Sequence, residues 1–331
     1  MLGLLPGLLL TLLLGCTADR EPAPADDPGA TARLSDCAAV SADEVRGRRP
    51  AYLPAALDPT PVDSAVCDAL WLPRLGRGFV PQGLAVRAGT AWVSGYDQGR
   101  PGHLFCRVLR LDLRTGELER QAGRVSAASG ATEILCRHGG GLGVDEHGLW
   151  LFTSARLWLL DPRTLDVVRL WALERPVQGS WGALDGRGRI ALGRFRADEP
   201  GVYRGPPRVE WFDLGALLSP GVTSIGPGEV VERRAVPSHA QGATWASWGA
   251  RPGLWIASSS TRCGVLTAPS GRRLAFVPGA EGIAVVGDHA WVVSESTARP
   301  YARLGDRPIV PSLVRLDLSR AGRWPGADCA P

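Results

Sequence analysis

Gln82-Gly83-Leu84-Ala85-Val86, then Ala91-Trp92-Val93-Ser94, then Val108-Leu109-Arg110-Leu111-Asp112-Leu113 form a unit that the rest of the chain repeats. A second copy runs Gly140-Gly141-Leu142-Gly143-Val144, Leu149-Trp150-Leu151-Phe152 and Leu157-Trp158-Leu159-Leu160-Asp161. A third has Gln178-Gly179-Ser180-Trp181, Arg189-Ile190-Ala191-Leu192 and Val209-Glu210-Trp211-Phe212-Asp213. The fourth is Gln241-Gly242-Ala243-Thr244, Leu254-Trp255-Ile256-Ala257 and Gly264-Val265-Leu266. The fifth is Glu281-Gly282-Ile283-Ala284-Val285, Ala290-Trp291-Val292-Val293 and Leu313-Val314-Arg315-Leu316-Asp317.

Short apolar runs punctuated by Gly, Pro and Asp read as strands, and no long stretch of helical period follows residue 16. Self-similarity every 40–60 residues or so, with several strands per unit, is the signature of a β-propeller. A four-stranded blade cannot bury both faces alone, so blades stack around an axis. The innermost strand is crowded and takes Gly and Ala; the next is wider and takes Trp. Trp92, Trp150, Trp255 and Trp291 therefore read as blade-packing residues. The marker glycines 83, 141, 179, 242 and 282 lie 58, 38, 63 and 40 residues apart. Five blades are expected, or six if one hides in a long interval.

Over about residues 66–324 the pattern resembles propellers of the NHL-repeat, YncE-like and gluconolactonase-like type. That resemblance implies an all-β propeller fold. The gluconolactonase-like and paraoxonase-like members also hold calcium in the channel with Glu, Asn and Asp. This sequence has no Asn, and only Glu281 stands at an inner-strand entry, so that ligand set is broken. No resident cofactor is expected; calcium is the alternative, on Asp97, Glu133, Asp198, Glu281 and Glu295.

The fifth copy stops after three strands, whereas Ala69-Leu70-Trp71-Leu72 precedes the first without a partner. An N-terminal strand completing the last blade would latch the ring. It would also bring Cys67 near Cys329. Cys106 and Cys136 flank the junction of the first two copies and form a plausible pair, which leaves Cys37 with Cys263. There is no C-x-x-C and no zinc-site spacing.

The expected address is extracytoplasmic. Residues 1–15 have the length of a signal-peptide apolar core, too short for a comfortable membrane span. The ending Leu13-Leu14-Gly15-Cys16 resembles the bacterial lipobox, which implies an acyl lipid on Cys16. Thr17 after it implies the outer membrane in a Gram-negative host. Residues 16–65 read as lipidated cysteine and flexible tether, and 66–331 as propeller. Six further cysteines, an even number, fit an oxidising compartment.

Composition closes other routes. Of 331 residues, 45% are apolar, enough for a core, and Gly and Pro total 69 (42 + 27), short of low complexity. Lys is absent, so the 37 basic residues against 33 acidic ones are all Arg, and the net charge of +4 is weak grounds for nucleic-acid binding. Membrane contact is expected through the lipid alone.

Loops entering the innermost strands, and those joining second to third strands, share one face of a propeller. Collected there are Gln82, Gln178, Gln241 and Glu281 before the marker glycines, with Arg137, His138 and His239 on entry loops. Tyr96, Asp97, His103, Arg194, Arg262, Glu295, Arg299, Tyr301 and Arg303 join them from the other loops. Arg forks suit carboxylate, sulfate or phosphate, and Tyr offers an amphipathic platform. A hydrolase or lyase would draw on Glu281, His239 and Glu295, but no G-x-S-x-G elbow accompanies them. Arg137-His138-Gly139-Gly140-Gly141 matches an esterase oxyanion loop only in letters. The expectation is a lipid-anchored binding module for a small molecule or an envelope protein. A metal-assisted hydrolase or lyase and a structural scaffold of an envelope complex are the alternatives.

Overall fold

The computed structural model describes residues 37–98, 104–195, 206–248, 252–260, 262–302 and 308–331. Of the residues singled out in the sequence, Cys16, His103, Asp198 and Arg303 lie outside these.

Five antiparallel sheets form a closed ring, a five-bladed β-propeller. From the axis outward, blade one is Phe79–Arg87, Thr90–Asp97, Cys106–Asp112 and Leu118–Ala122. Blade two is Gly141–Val144, Leu149–Thr153, Arg156–Leu160 and Val167–Leu173. Blade three is Trp181–Leu184, Arg189–Gly193, Arg208–Asp213 and Val230–Ala235. Blade four is Ala240–Ala246, Gly253–Ser260, Cys263–Thr267 and Arg273–Ala275. Blade five is Ala280–Val286, His289–Ser294 and Leu313–Asp317, with Val66–Leu70 as its outermost strand.

Among the described residues the long intervals hold decoration and no sixth blade. A separate hairpin, Ser126–Ser129 with Thr132–Leu135, fills the first. The second carries a short helix, Leu214–Leu218, capped by Asp213, and Ser224–Ile225, which pairs in parallel with the outer edge of blade two. The aspartates that end third strands are turn caps: Asp112 and Asp161 each accept two following backbone N–H groups.

The marker glycines sit where inner strands of neighbouring blades meet. A Cβ on Gly83 would lie 2.5 Å from the Gly141 carbonyl carbon, and one on Gly282 2.6 Å from the Leu84 nitrogen. One shell further out, Trp92, Trp150, Trp255 and Trp291 are buried between blades, as their positions require.

Ring closure follows the expected N-terminal latch. Val66–Leu70 pairs antiparallel with Leu313–Asp317, and buried Ser312 donates to Leu70 O and accepts from Leu72 N. Residues 37–65, expected to be tether, pack on this latch with Val45, Leu53 and Val62 buried. Arg46 pairs with Asp68 at 2.7 Å and donates to Leu113 O, binding the segment to both blades that flank the seam.

Two expected disulfides are replaced. The bonds are Cys37–Cys67, Cys106–Cys136 and Cys263–Cys329, so only the middle pairing stands. Cys67 is met by the upstream segment, whose Ala38 N–H donates to Val66 O. The C-terminal tail crosses to blade four, whose outer strand has only three residues. There Ala275 N donates to Pro325 O, and Trp324 packs against Phe276 and Trp248, which sets Cys329 beside Cys263.

Candidate functional site

Three inner strands carry a β-bulge at the residue before the marker glycine. In blade one the register slips between Pro81 and Leu84, in blade four between Ala240 and Gly242, and in blade five between Ala280 and Gly282. A bulge leaves a residue outside the ladder and re-aims its side chain. Gln82, Gln241 and Glu281 occupy these positions, and their side chains meet at the channel mouth.

Glu281 is almost wholly buried at 1% exposure. Its Oε1 accepts from Gln241 Nε2 at 2.8 Å and from Ser259 Oγ at 3.4 Å. Glu295, at the end of the second strand of the same blade, accepts from Gln82 Nε2 at 2.7 Å. Burial first, then repulsion from Glu295, pushes the Glu281 carboxyl well above the ordinary carboxylate range, against the bonds from Ser259 and Gln241. No cation among the described residues contributes to its electrostatics.

Aromatic groups wall this floor. The hydroxyls of Tyr96 and Tyr301 lie 3.4 Å apart, and the His138 ring is 4.9 Å from that of Tyr96. Burial raises the Tyr96 hydroxyl to about 12; its bond with Tyr301 opposes the rise, while Glu295 and Glu281 add to it. Tyr301 is raised for the same leading reason, burial, and then by Glu295. The loop carrying Glu295 and Tyr301 is held from below: Ser294 and Ser296 both donate to Pro278 O, at 2.7 and 3.0 Å. Tyr52, from the segment taken as tether, donates to Thr297 O at 2.8 Å. Its part in shaping the mouth was missed; the apolar Tyr52-Leu53 pair within a Pro-rich stretch was the available signal.

Asp97 is bound to Arg107 at 2.5 Å and lies 3.7 Å from Arg74, an ion-pair group beside blade one. Arg194 is buried and donates to Pro176 O. His239 has left-handed backbone at φ 58° and sets its ring edge-on to Phe195, with no hydrogen bond or ion pair to Glu281 or Glu295. Gln178 is half-buried and makes no side-chain hydrogen bond among the described residues. Arg262 lines a separate cleft with Asp58, Asp328 and Cys329, while Arg299 lies over the Tyr52 ring. Glu133 pairs with Arg124 at the surface. Among the described residues no group of three or more His, Cys, Asp or Glu side chains could hold a metal ion.

Fold and mouth together define the class: a disulfide-bonded five-bladed β-propeller whose channel is floored by two acids and two amides. No family model matches the sequence, and a search of curated proteins finds no relative. Similar solved structures share the fold at low identity. One is from a nidogen/laminin complex, 14% identical over 74% of this chain and 78% of that one, with a TM-score of 0.41. Another is the PQQ-bound aldose sugar dehydrogenase of Streptomyces coelicolor, 15% identical over 72% and 94%, with a TM-score of 0.36. A third is BamB of Moraxella catarrhalis, 14% identical over 66% and 60%, with a TM-score of 0.29.

Proposed function

We propose that this chain is an extracytoplasmic propeller, lipid-anchored through Cys16, that binds a ligand or an envelope protein at its channel mouth. The observation that carries the reading is the Glu281 carboxyl. It is buried, accepts from Gln241 and Ser259 and faces a second acid, so a ligand group that brings N–H donors or positive charge suits this mouth. Tyr96, Tyr301 and His138 supply walls suited to such a group. A free amine, or an Arg or Lys side chain of a partner protein, has this chemistry. The three disulfides favour an oxidising compartment.

The test is a thermal-shift and titration series with arginine methyl ester and spermidine against acetate and phosphate. Saturable stabilisation by the cations is expected, and its loss in Glu281→Gln with folding kept. Stabilisation by the anions alone, or a cation response unchanged in Glu281→Gln, overturns the reading. The anchor has its own test. Cys16→Ser should move the protein from the membrane fraction to the soluble one, and no change in fractionation refutes it.

A further inference from the structure

Against the closing blade lies a second cavity, of about 300 Å³. Its sides come from the segment before the latch and from the latch itself, with Val40, Leu57 and Val66; its floor is Val277, Val310 and Val314. These walls are pinned to one another. Ala38 N donates to Val66 O at 3.0 Å, Asp58 N to Ile309 O at 3.0 Å, and Ile309 N to Asp58 Oδ2 at 2.6 Å. The Cys37–Cys67 bond ties the start of one wall to the next. A hollow held open this way does not collapse to the close packing of an ordinary interior, where voids wider than a water are few. It has room for about ten water-sized groups, the lower end of ligand-pocket sizes.

The lining decides the ligand. Among the described residues its lining contains no aromatic ring and no arginine, and the charged groups there are Asp58 and Asp63. An aromatic ligand finds nothing to stack on, and a fatty acid would bring a third carboxylate. Asp63 takes Thr60 N and Oγ1, and Asp58 takes Ile309 N, yet a carboxylate has about four lone-pair sites and can accept more. We propose that this cavity binds a straight aliphatic chain ending in an ammonium group, its hydrocarbon among the valines and its cation at Asp58 and Asp63. The site is separate from the channel mouth and does not depend on the function assigned there.

The experiment titrates the full chain with decylammonium, decanol and decanoate below their aggregation limits. One saturable decylammonium per chain is expected, at least about ten-fold tighter than decanoate. Asp63→Asn should narrow that preference, and the hollow-filling Val314→Phe and Ala42→Phe should each abolish binding. Two filling variants, one on the floor and one on the segment before the latch, guard against one that fails to fold. Glu281→Gln should leave decylammonium binding unchanged, which separates this cavity from the mouth. Equal affinity for decanoate, or binding that survives both filling variants, overturns the proposal. So does binding that appears only after residues 17–34 are deleted, since the N-terminal segment would then be the occupant.

Discussion

Gln82 of the first blade donates its amide to Glu295 of the fifth at 2.7 Å, so the floor of the mouth is stitched across the seam where the ring closes. The two residues are 213 positions apart, and both are buried. The polar floor and the ring closure are therefore one structure. Removing the amide withdraws a donor from a buried carboxyl, which costs about 1–3 kcal/mol. Gln82→Ala should lower the urea midpoint accordingly without changing the slope of the transition. A variant as stable as the parent would mean that the bond contributes nothing to closure.

Gly282 faces the same seam from the fifth blade. An added methyl would lie 2.6 Å from the Leu84 nitrogen, 2.9 Å from its Cβ and 3.0 Å from Gln82 O, so backbone on both sides would have to move. Overpacking of that kind costs about 1–3 kcal/mol. Gly282→Ala should be destabilised by this amount or more. Gly322→Ala, where nothing stands within 4 Å of the new methyl, should be close to neutral. Equal melting temperatures for the two variants would remove the close-approach explanation of the marker glycines.

The first and last described segments are held by different blades. Cys37–Cys67 ties the upstream segment to the latch strand, and Cys263–Cys329 ties the tail to blade four across a separation of 66 residues. On loop entropy alone, the latter contributes about 4 kcal/mol. The paired change Cys263→Ser with Cys329→Ser should lower unfolding free energy toward that amount. Peptide mapping without reduction should recover Cys37 linked to Cys67 and Cys263 linked to Cys329. A Cys67–Cys329 peptide would contradict the structure.

The repeat, the blade number and the N-terminal latch were legible because they follow from strand period and from crowding near an axis, which every copy shares. Two of the three disulfides were not. Their partners depend on where Cys37 and the tail around Trp324 cross the surface, and neither segment repeats anything. The mouth was half legible. Gln82, Gln241 and Glu281 share the position before a marker glycine, and the structure turns all three inward on bulges. Arg262 and Arg299 share a loop order, and the structure sets Arg262 on the cleft with Asp58 and Asp328 and Arg299 over the Tyr52 ring, contacts with upstream and tail segments that loop order does not encode. Tyr52 was hidden by composition: a Pro-rich stretch reads as tether even when a few apolar side chains pin it down.

Glu281 gives the mouth a pH signature. Its carboxyl lies above the ordinary value in the folded protein through burial and then through Glu295, so between the unfolded and folded values the native state binds more protons. The stability this group contributes is full below the unfolded value near 4.5 and is lost as pH rises toward the folded one. Glu281→Gln imitates the protonated acid at every pH and cannot titrate. The melting temperature of the parent should therefore fall relative to Glu281→Gln as pH is raised above the ordinary carboxylate range, the gap widening until Glu281 ionises. Glu295→Gln, which removes the repulsion between the two acids, should make the gap smaller. Melting curves that run parallel across this range would mean that Glu281 titrates as an exposed acid does and that the floor of the mouth is open to water.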